Sequence, residues 1–388
     1  MPIPAAYPYV DVSIDESALI PVATRSAGVI AVVGGAVAGN SGEVTTTPEN
    51  TPVVIDTADD TAQFGQVTSG AVSTSTALRD SLLIALEQNP RPNKIYGVRA
   101  KVTNNKPDYA SALQSLEAAD DVDFVALANE VDPIALGLLK THVESASASG
   151  NKQIGVAMIN PAIAKSATYV NDIDTAAEPL KSSLGRMVLM AARGATVDVA
   201  SAAMGAIAGY DPQVSLVLKQ LGEVTIPLAS QYSPSEITGL SEAGINPVVS
   251  PALMVGGGFY FGDCRVYSSD AALQFIDIVR VLDDIDFRLK AGLVGAVGDD
   301  RITKSGLTLL LSRTEGILQP LQSAAEIDDF TIDIPLLGIL SRAESSWTPG
   351  DHSQINDART NRQVVLNVKI VYGPAVNQIQ VLLAPSLS

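Results

Sequence analysis

Between Ser233 and Leu293 the apolar and polar positions succeed one another with little ambiguity. Ser233, Pro234 and Glu236 form a capping box with proline in the first turn, and Ile237 and Leu240 share one face of the helix it opens. Gly244 is the expected left-handed residue that ends this helix. Pro247 keeps Asn246 extended, and Val248 and Val249 predict a buried strand. Three glycines, Gly256 to Gly258, break the chain before a second predicted strand from Phe259 to Tyr267. Ser268, Ser269 or Asp270 then caps a long helix. Its apolar residues Leu273, Ile276, Val279, Leu282, Ile285, Leu289 and Leu293 recur every three or four positions.

The same reading covers the rest of the chain. Prolines 2, 4, 8 and 21 surround a short alternation in which Tyr9, Asp11 and Ser13 oppose Val10, Val12 and Ile14, which predicts an extended segment. From Ser26 a β-branched run predicts a buried strand entering a glycine loop. Gly34, Gly35 and Gly39 are mis-spaced for a dinucleotide fingerprint, and no helix follows them. Ser73 to Glu87 predict a helix, Lys94 to Val102 a strand, and Asn104 to Pro107 a domain boundary. Asp123 to Ala128 and Ile154 to Ile159 predict buried strands around a helix opened by Asp132 and Pro133. Helices are expected at Val188 to Tyr210 and Pro212 to Gln220, and a short strand at Ile226 to Ala229. Further on, Asp299 to Gly316 predict a helix continuing to Leu321, which Pro320 bends or ends. Phe330 to Ile334 alternate as a strand, and Ser341 to Arg362 predict a surface loop anchored by Trp347. Val364, Leu366, Val368, Ile370 and Tyr372 form one face of a strand, Gly373 and Pro374 turn it, and Ile379, Val381 and Leu383 predict another.

With 388 residues the chain exceeds the size of one core, so two or more domains are expected. The 25 basic against 42 acidic residues give a formal charge of −17, which disfavours nucleic acid and anionic membranes as partners. Met187 to Tyr210, the longest apolar region, is interrupted by Arg193 and Asp198 and is a poor membrane span. The opening "MPIPAAYPYVDV" lacks the marks of a signal peptide. Cys264 is the single cysteine, so no intrachain disulfide is expected. His142 and His352 lack neighbouring ligands, and aspartate pairs such as 283–284 and 299–300 lack calcium-loop spacing. Neither catalytic residues, nor a metal, nor a cofactor is expected. Asn129, Glu130, Asp132 and Asn160, at strand ends, read either as the lining of a ligand crevice or as caps and turns.

"LSEAGINPVV" from Leu240, the glycine-rich approach to "FYFGDCRVY", and "FIDIVR" ending at Arg280 resemble the tail sheath proteins of contractile bacteriophages and related injection machines. "YPYVDV" near the start, Ala62 to Gly65 and the closing strands extend the resemblance. It implies a mixed α/β (α+β) fold with a discontinuous core. An arm at 1–25 would precede core parts at 26–103 and 233–388, with an inserted outer domain at 104–232. It further implies inter-subunit arms carried by Tyr9, Val10, Val12 and Ile14 and by Ile379, Val381 and Leu383. Tube-facing basic residues would be Arg280, Arg288, Lys290, Arg301 and Lys304. The implied protein is not an enzyme. It builds hexameric rings wound around a tail tube, and its partners are its own copies, the tube protein, and baseplate and tail terminator proteins. It would be assembled in the host cytoplasm and reside in the virion tail, without membrane insertion. The competing readings are a cytosolic α/β enzyme and another self-assembling shell or lattice protein.

Overall fold

The computed structural model describes residues 28–36, 47–68, 71–104 and 106–377. They form two compact units, one of residues 28–284 with 372–377 and one of residues 285–371.

The first unit contains, in chain order, β1 (Val29–Gly35), β2 (Pro52–Ile55), β3 (Gln66–Thr68), β4 (Ala71–Thr74), α1 (Ala77–Leu86), β5 (Lys94–Ala100), β6 (Val102–Thr103), β7 (Lys106–Pro107), α2 (Tyr109–Ser115), β8 (Phe124–Leu127), α3 (Pro133–Ala148), β9 (Ile154–Met158), α4 (Tyr169–Ala177), β10 (Met187–Ala191), α5 (Val199–Gly209), β11 (Gln220–Leu221), α6 (Pro234–Glu242), β12 (Asn246–Val249) and β13 (Phe259–Phe261). Nine of these strands join one sheet in the order β11-β13-β12-β10-β9-β8-β1-β5-β2. The middle run from β12 to β5 is parallel throughout, and antiparallel strands close both ends. Helices cover both faces, which is why the central strands read as unbroken apolar runs. Ile30 and Val32 of β1 pack with Leu78 and Leu82 of α1 and Ala203 of α5. Val29, Ala31 and Val33 point the other way, toward Leu113 of α2 and Leu139 of α3. Burying each valine, leucine or isoleucine contributes about 1.5–3 kcal/mol, so this two-sided layer is the main source of stability. Contact between α1 and α5 is close: a Cβ on Gly205 would lie 2.5 Å from the Ala85 carbonyl oxygen.

Residues 104–232 are not an inserted domain, because their strands β8, β9 and β10 form the middle of this sheet. At the expected boundary, Asn104 to Pro107, β7 pairs antiparallel with β6, Val102 opposite Pro107 and Thr103 opposite Lys106. Val188 to Tyr210 is a strand followed by a helix. β10 is buried throughout and the alanine-rich α5 is buried from Val199 to Ala208, so their apolar residues read as one stretch. Pro212 to Lys219 form turns and irregular chain instead of a helix, Gln220 opens β11, and Leu228–Ser230 is a 3-10 turn where a strand was expected. Strand β13 stops at Phe261 because a buried side chain then supplies the pairing. Asn246 accepts from the Arg265 N–H at 2.6 Å and donates to the Arg265 carbonyl at 2.8 Å. Val266 bonds the Gln274 carbonyl and Ile276 the Cys264 carbonyl, so the long helix α7 (Ile276–Leu293) begins at Ile276, later than the serine caps suggest.

The boundary between units falls within α7. The second unit continues with α8 (Lys304–Ser323), β14 (Asp329–Asp333), α9 (Pro335–Leu340), α10 (Pro349–Asn361) and β15 (Asn367–Val371). Its core is small, built on Leu307, Ile334, Leu336, Ile339 and Ile355. Pro320 lies in the last turn of α8 and does not end it. The expected loop at 341–362 contains α10. A capping box of Thr348 and Asp351 starts this helix, although it has almost no apolar stripe. Trp347 does anchor the segment, its indole N–H donating to the Ile339 carbonyl at 3.0 Å.

Candidate assembly interface

β14 and β15 form a two-stranded antiparallel ribbon, Asp329 opposite Val371 through Asp333 opposite Asn367. Phe330, Ile332, Val368 and Ile370 are half-buried, while Asp329, Thr331, Asp333, Asn367, Lys369 and Val371 are exposed. Among the described residues no third strand pairs with either member. Among these residues each outer edge offers a row of backbone donors and acceptors, the feature by which a strand takes on another strand. An isolated two-stranded ribbon is marginal by itself, and here α8 packs against β14. The arm residues expected to pair with such an edge, Tyr9, Val10, Val12, Ile14, Ile379, Val381 and Leu383, lie outside the described residues.

The basic residues expected to face a tube divide into two groups. Arg280 is 5% exposed, and its guanidinium donates to the Tyr210 carbonyl at 2.6 Å and the Asp211 carbonyl at 3.2 Å while lying over the Phe124 ring. Burial pulls its pKa down to about 10, and it ties α7 to the segment after α5. Its buried position removes it from the tube-facing set. Arg288 is half-buried on α7, and Lys290 is exposed and paired with Asp286 one turn away. Arg301 and Lys304 are exposed just before and at the start of α8, a few residues after the exposed apolar Val294 and Val297.

Sequence reading missed the polar groups that fix the sheet unit. Arg193 follows β10, where it first appeared as an interruption of an apolar run. Its Nη1 meets Glu236 at 2.7 Å, its Nε donates to the Ser230 carbonyl at 3.0 Å, and its Nη2 donates to the Gln231 carbonyl at 3.2 Å. The guanidinium lies 4.4 Å from the Tyr169 ring centre and 4.7 Å from that of Tyr232. Glu236 also accepts from the Ser233 backbone at 2.8 Å, so the capping residue of α6 is half of a buried ion pair. The Arg193 hydrogen bond holds its carboxyl down at about 2. Arg186 makes a second, bidentate pair with Asp283 at 2.5 and 2.9 Å. The signal for both was a charged residue flanking a buried strand, since such a charge needs a partner.

The crevice expected at a topological switch point lies between β1 and β8, whose successors run to opposite sides of the sheet. The protein's own groups fill it. A Cβ on Gly34 would stand 2.5 Å from the Ala128 Cβ. One oxygen of Asp198 accepts from Ser81, Ser201 and the Asn129 N–H, at 2.6, 2.7 and 2.9 Å. Glu130 accepts from Tyr109 and from the Val131 and Asp132 backbone, Asp132 caps α3, and Asn160 closes a turn with Ala162. These four residues are therefore caps and turns. Part of the glycine loop after β1 lies outside the described residues. His142 is buried, and burial lowers its pKa. Among the described residues no group of three or more His, Cys, Asp or Glu side chains is placed to hold a metal ion, and no helix is long and apolar enough to cross a membrane.

No protein-family model matches the chain, and no curated protein aligns with it. Solved structures do match. The sheath of the extracellular contractile injection system PVC, in its contracted state, is 13% identical with a TM-score of 0.68, covering 97% of this chain and 98% of that one. The contracted helical sheath of the anti-feeding prophage is 12% identical at 0.62, covering 99% of each. The sheath tail protein of Desulfitobacterium hafniense is 12% identical at 0.57, covering 84% of this chain and 93% of that one. At such identities the likeness is one of fold, and it spans nearly the whole chain. The chain has the mixed α/β fold of contractile-system sheath proteins.

Proposed function

We propose that this chain is the structural subunit of a contractile sheath. Copies stack as hexameric rings wound around a tail tube and shorten to drive that tube through a cell envelope. The observation that carries the reading is the full-length fold match to sheaths, 97% of this chain on the PVC structure. The filled switch-point crevice supports a structural role over catalysis.

The ribbon supports a specific linkage. Tyr9 to Ile14 and Ile379 to Leu383 are strand-forming stretches toward either end of the sequence, and among the described residues β14 and β15 pair only with each other. Strand addition uses main-chain hydrogen bonds, which persist while the bodies they connect rotate. Energy for shortening comes from two packings of one subunit that differ modestly per copy and sum over many copies, so no nucleotide is required. Exposed Lys290, Arg301 and Lys304, with half-buried Arg288, remain the residues assigned to the tube. Baseplate and terminator proteins complete the set of partners, in a virion tail assembled in the host cytoplasm.

Electron microscopy of the purified protein tests this reading. Long hollow tubes with ring striations are the expected result. Small discrete particles would favour an enzyme, and closed shells or flat lattices another assembly protein.

A further inference from the structure

Past β15 the chain returns to the sheet unit and is held there at two points. The Tyr372 hydroxyl donates to Oδ2 of Asp277 at 2.8 Å. Asp277 is 5% exposed, and its other oxygen is buried without a partner. Five residues later, Oδ1 of Asn377 accepts from the Ser215 hydroxyl at 2.7 Å, and its Nδ2 donates to the buried Cys264 sulfur at 3.7 Å. Between these points Gly373, Pro374, Ala375 and Val376 are exposed, Val376 by 78%. Among the described residues no backbone hydrogen bond holds 373–377. Side chains alone fasten this stretch, and such a segment opens locally far more readily than the sheet beneath it.

We propose that residues 372–377 are a releasable strap, in which Tyr372 and Asn377 pin the root of the C-terminal segment to the sheet unit until copies move apart. This rests on the sheath reading. Fastened, the strap gives the segment beyond Asn377 a fixed point of departure beside Ser215 and Cys264, which aims it during assembly. Released, six residues of extended chain span up to about 20 Å. The root is then free to move within that radius of Val371, and the link survives a displacement that would tear a fixed one.

The single native cysteine makes the strap easy to lock. In Asn377→Cys the new thiol faces Cys264, and oxidation can form one intrachain disulfide across the strap. Burial pushes the Cys264 thiol up to about 11, so a chemical oxidant is needed. Tubes of this variant, oxidised and reduced, are compared by electron microscopy after brief exposure to dilute denaturant, with Asn377→Ser as control. The expected result is that reduced tubes shorten and oxidised tubes assemble but stay extended. Equal shortening in both overturns the strap and leaves the sheath reading intact. An independent measurement uses the free subunit. Tyr372→Phe should raise the labelling rate of Cys264 by a small aromatic disulfide roughly fivefold or more, by removing one hydrogen bond, without lowering the melting temperature by more than a few degrees. Unchanged labelling overturns the anchor. If the wild-type protein forms no tubes, the sheath reading falls and labelling alone decides the strap.

Discussion

The sheet unit and the ribbon unit use their polar groups in opposite ways. In the sheet unit, charges beside the buried strands are matched inside the protein: Arg193 with Glu236, Arg186 with Asp283, and Arg280 with two carbonyls. Both faces of its sheet are covered. In the ribbon unit the strands alternate between half-buried and exposed, the core is small, and among the described residues no third strand pairs with either edge. The described residues complete the first region, whereas in the second they leave the ribbon two-stranded. Substitutions in the first should therefore unfold the subunit, and changes at the second should stop assembly in a subunit that still folds.

The largest effect is expected from the arms. Deleting Met1 to Ile20, or separately Ile379 to Ser388, should abolish tubes while the protein stays soluble with a cooperative melt. Normal tubes from either truncation remove that end from the linkage, and loss of the fold means the segment pairs within its own chain. Next comes Arg193→Met, which leaves Glu236 without its cation. Breaking a buried pair in this way costs about 3–5 kcal/mol, read as a large fall in denaturation midpoint. A small shift would mean that water reaches the site and the clamp is not holding the fold.

Acid should act on the same clamp. Folded Glu236 titrates near 2, below the ordinary glutamate value of 4.5, so the unfolded chain takes up the proton first. Its contribution is complete above about 4.5 and is lost as pH falls toward about 2. Arg193→Met should flatten that part of the stability–pH curve, and an unchanged slope would assign the acid sensitivity elsewhere. A smaller effect is expected at Gly244, whose φ of +83° is the left-handed end of α6. Gly244→Val should cost about 1–2 kcal/mol through backbone strain, measured by thermal melting. The smallest change in stability belongs to charge reversal at Arg301 and Lys304, within about 0.5 kcal/mol for such surface positions. Their effect should appear instead as weaker, salt-dependent capture of the tube protein in a pull-down, and undiminished capture would end their assignment.

What the sequence shows of this contrast depends on how local each signal is. The capping box at Ser233, Gly244 and the strand after Pro247 were legible because each rests on neighbouring residues, and the structure bears them out. β10 was not, because a strand covered on both faces has no alternation and α5 extends its apolar run. α10 was hidden by the opposite cause, a polar helix whose one local sign was its Thr348–Asp351 cap. Sheet order, and with it the absorption of 104–232 into the central sheet, depends on pairings between distant strands that no window of sequence contains. Arg193 and Asp198 stood out as charges in an apolar stretch. Their partners, Glu236 and Ser81, are 43 and 117 residues away, so their roles emerge only with the fold.

The ribbon gives the most direct test of assembly by strand addition. A map of assembled tubes at side-chain resolution would show what lies along the outer edges of β14 and β15. Strands from other copies are expected to extend the ribbon, with Tyr9 to Ile14 or Ile379 to Leu383 supplying the added backbone. A ribbon that stays two-stranded in the tube, with its edges in water and the bodies joined elsewhere, would contradict it.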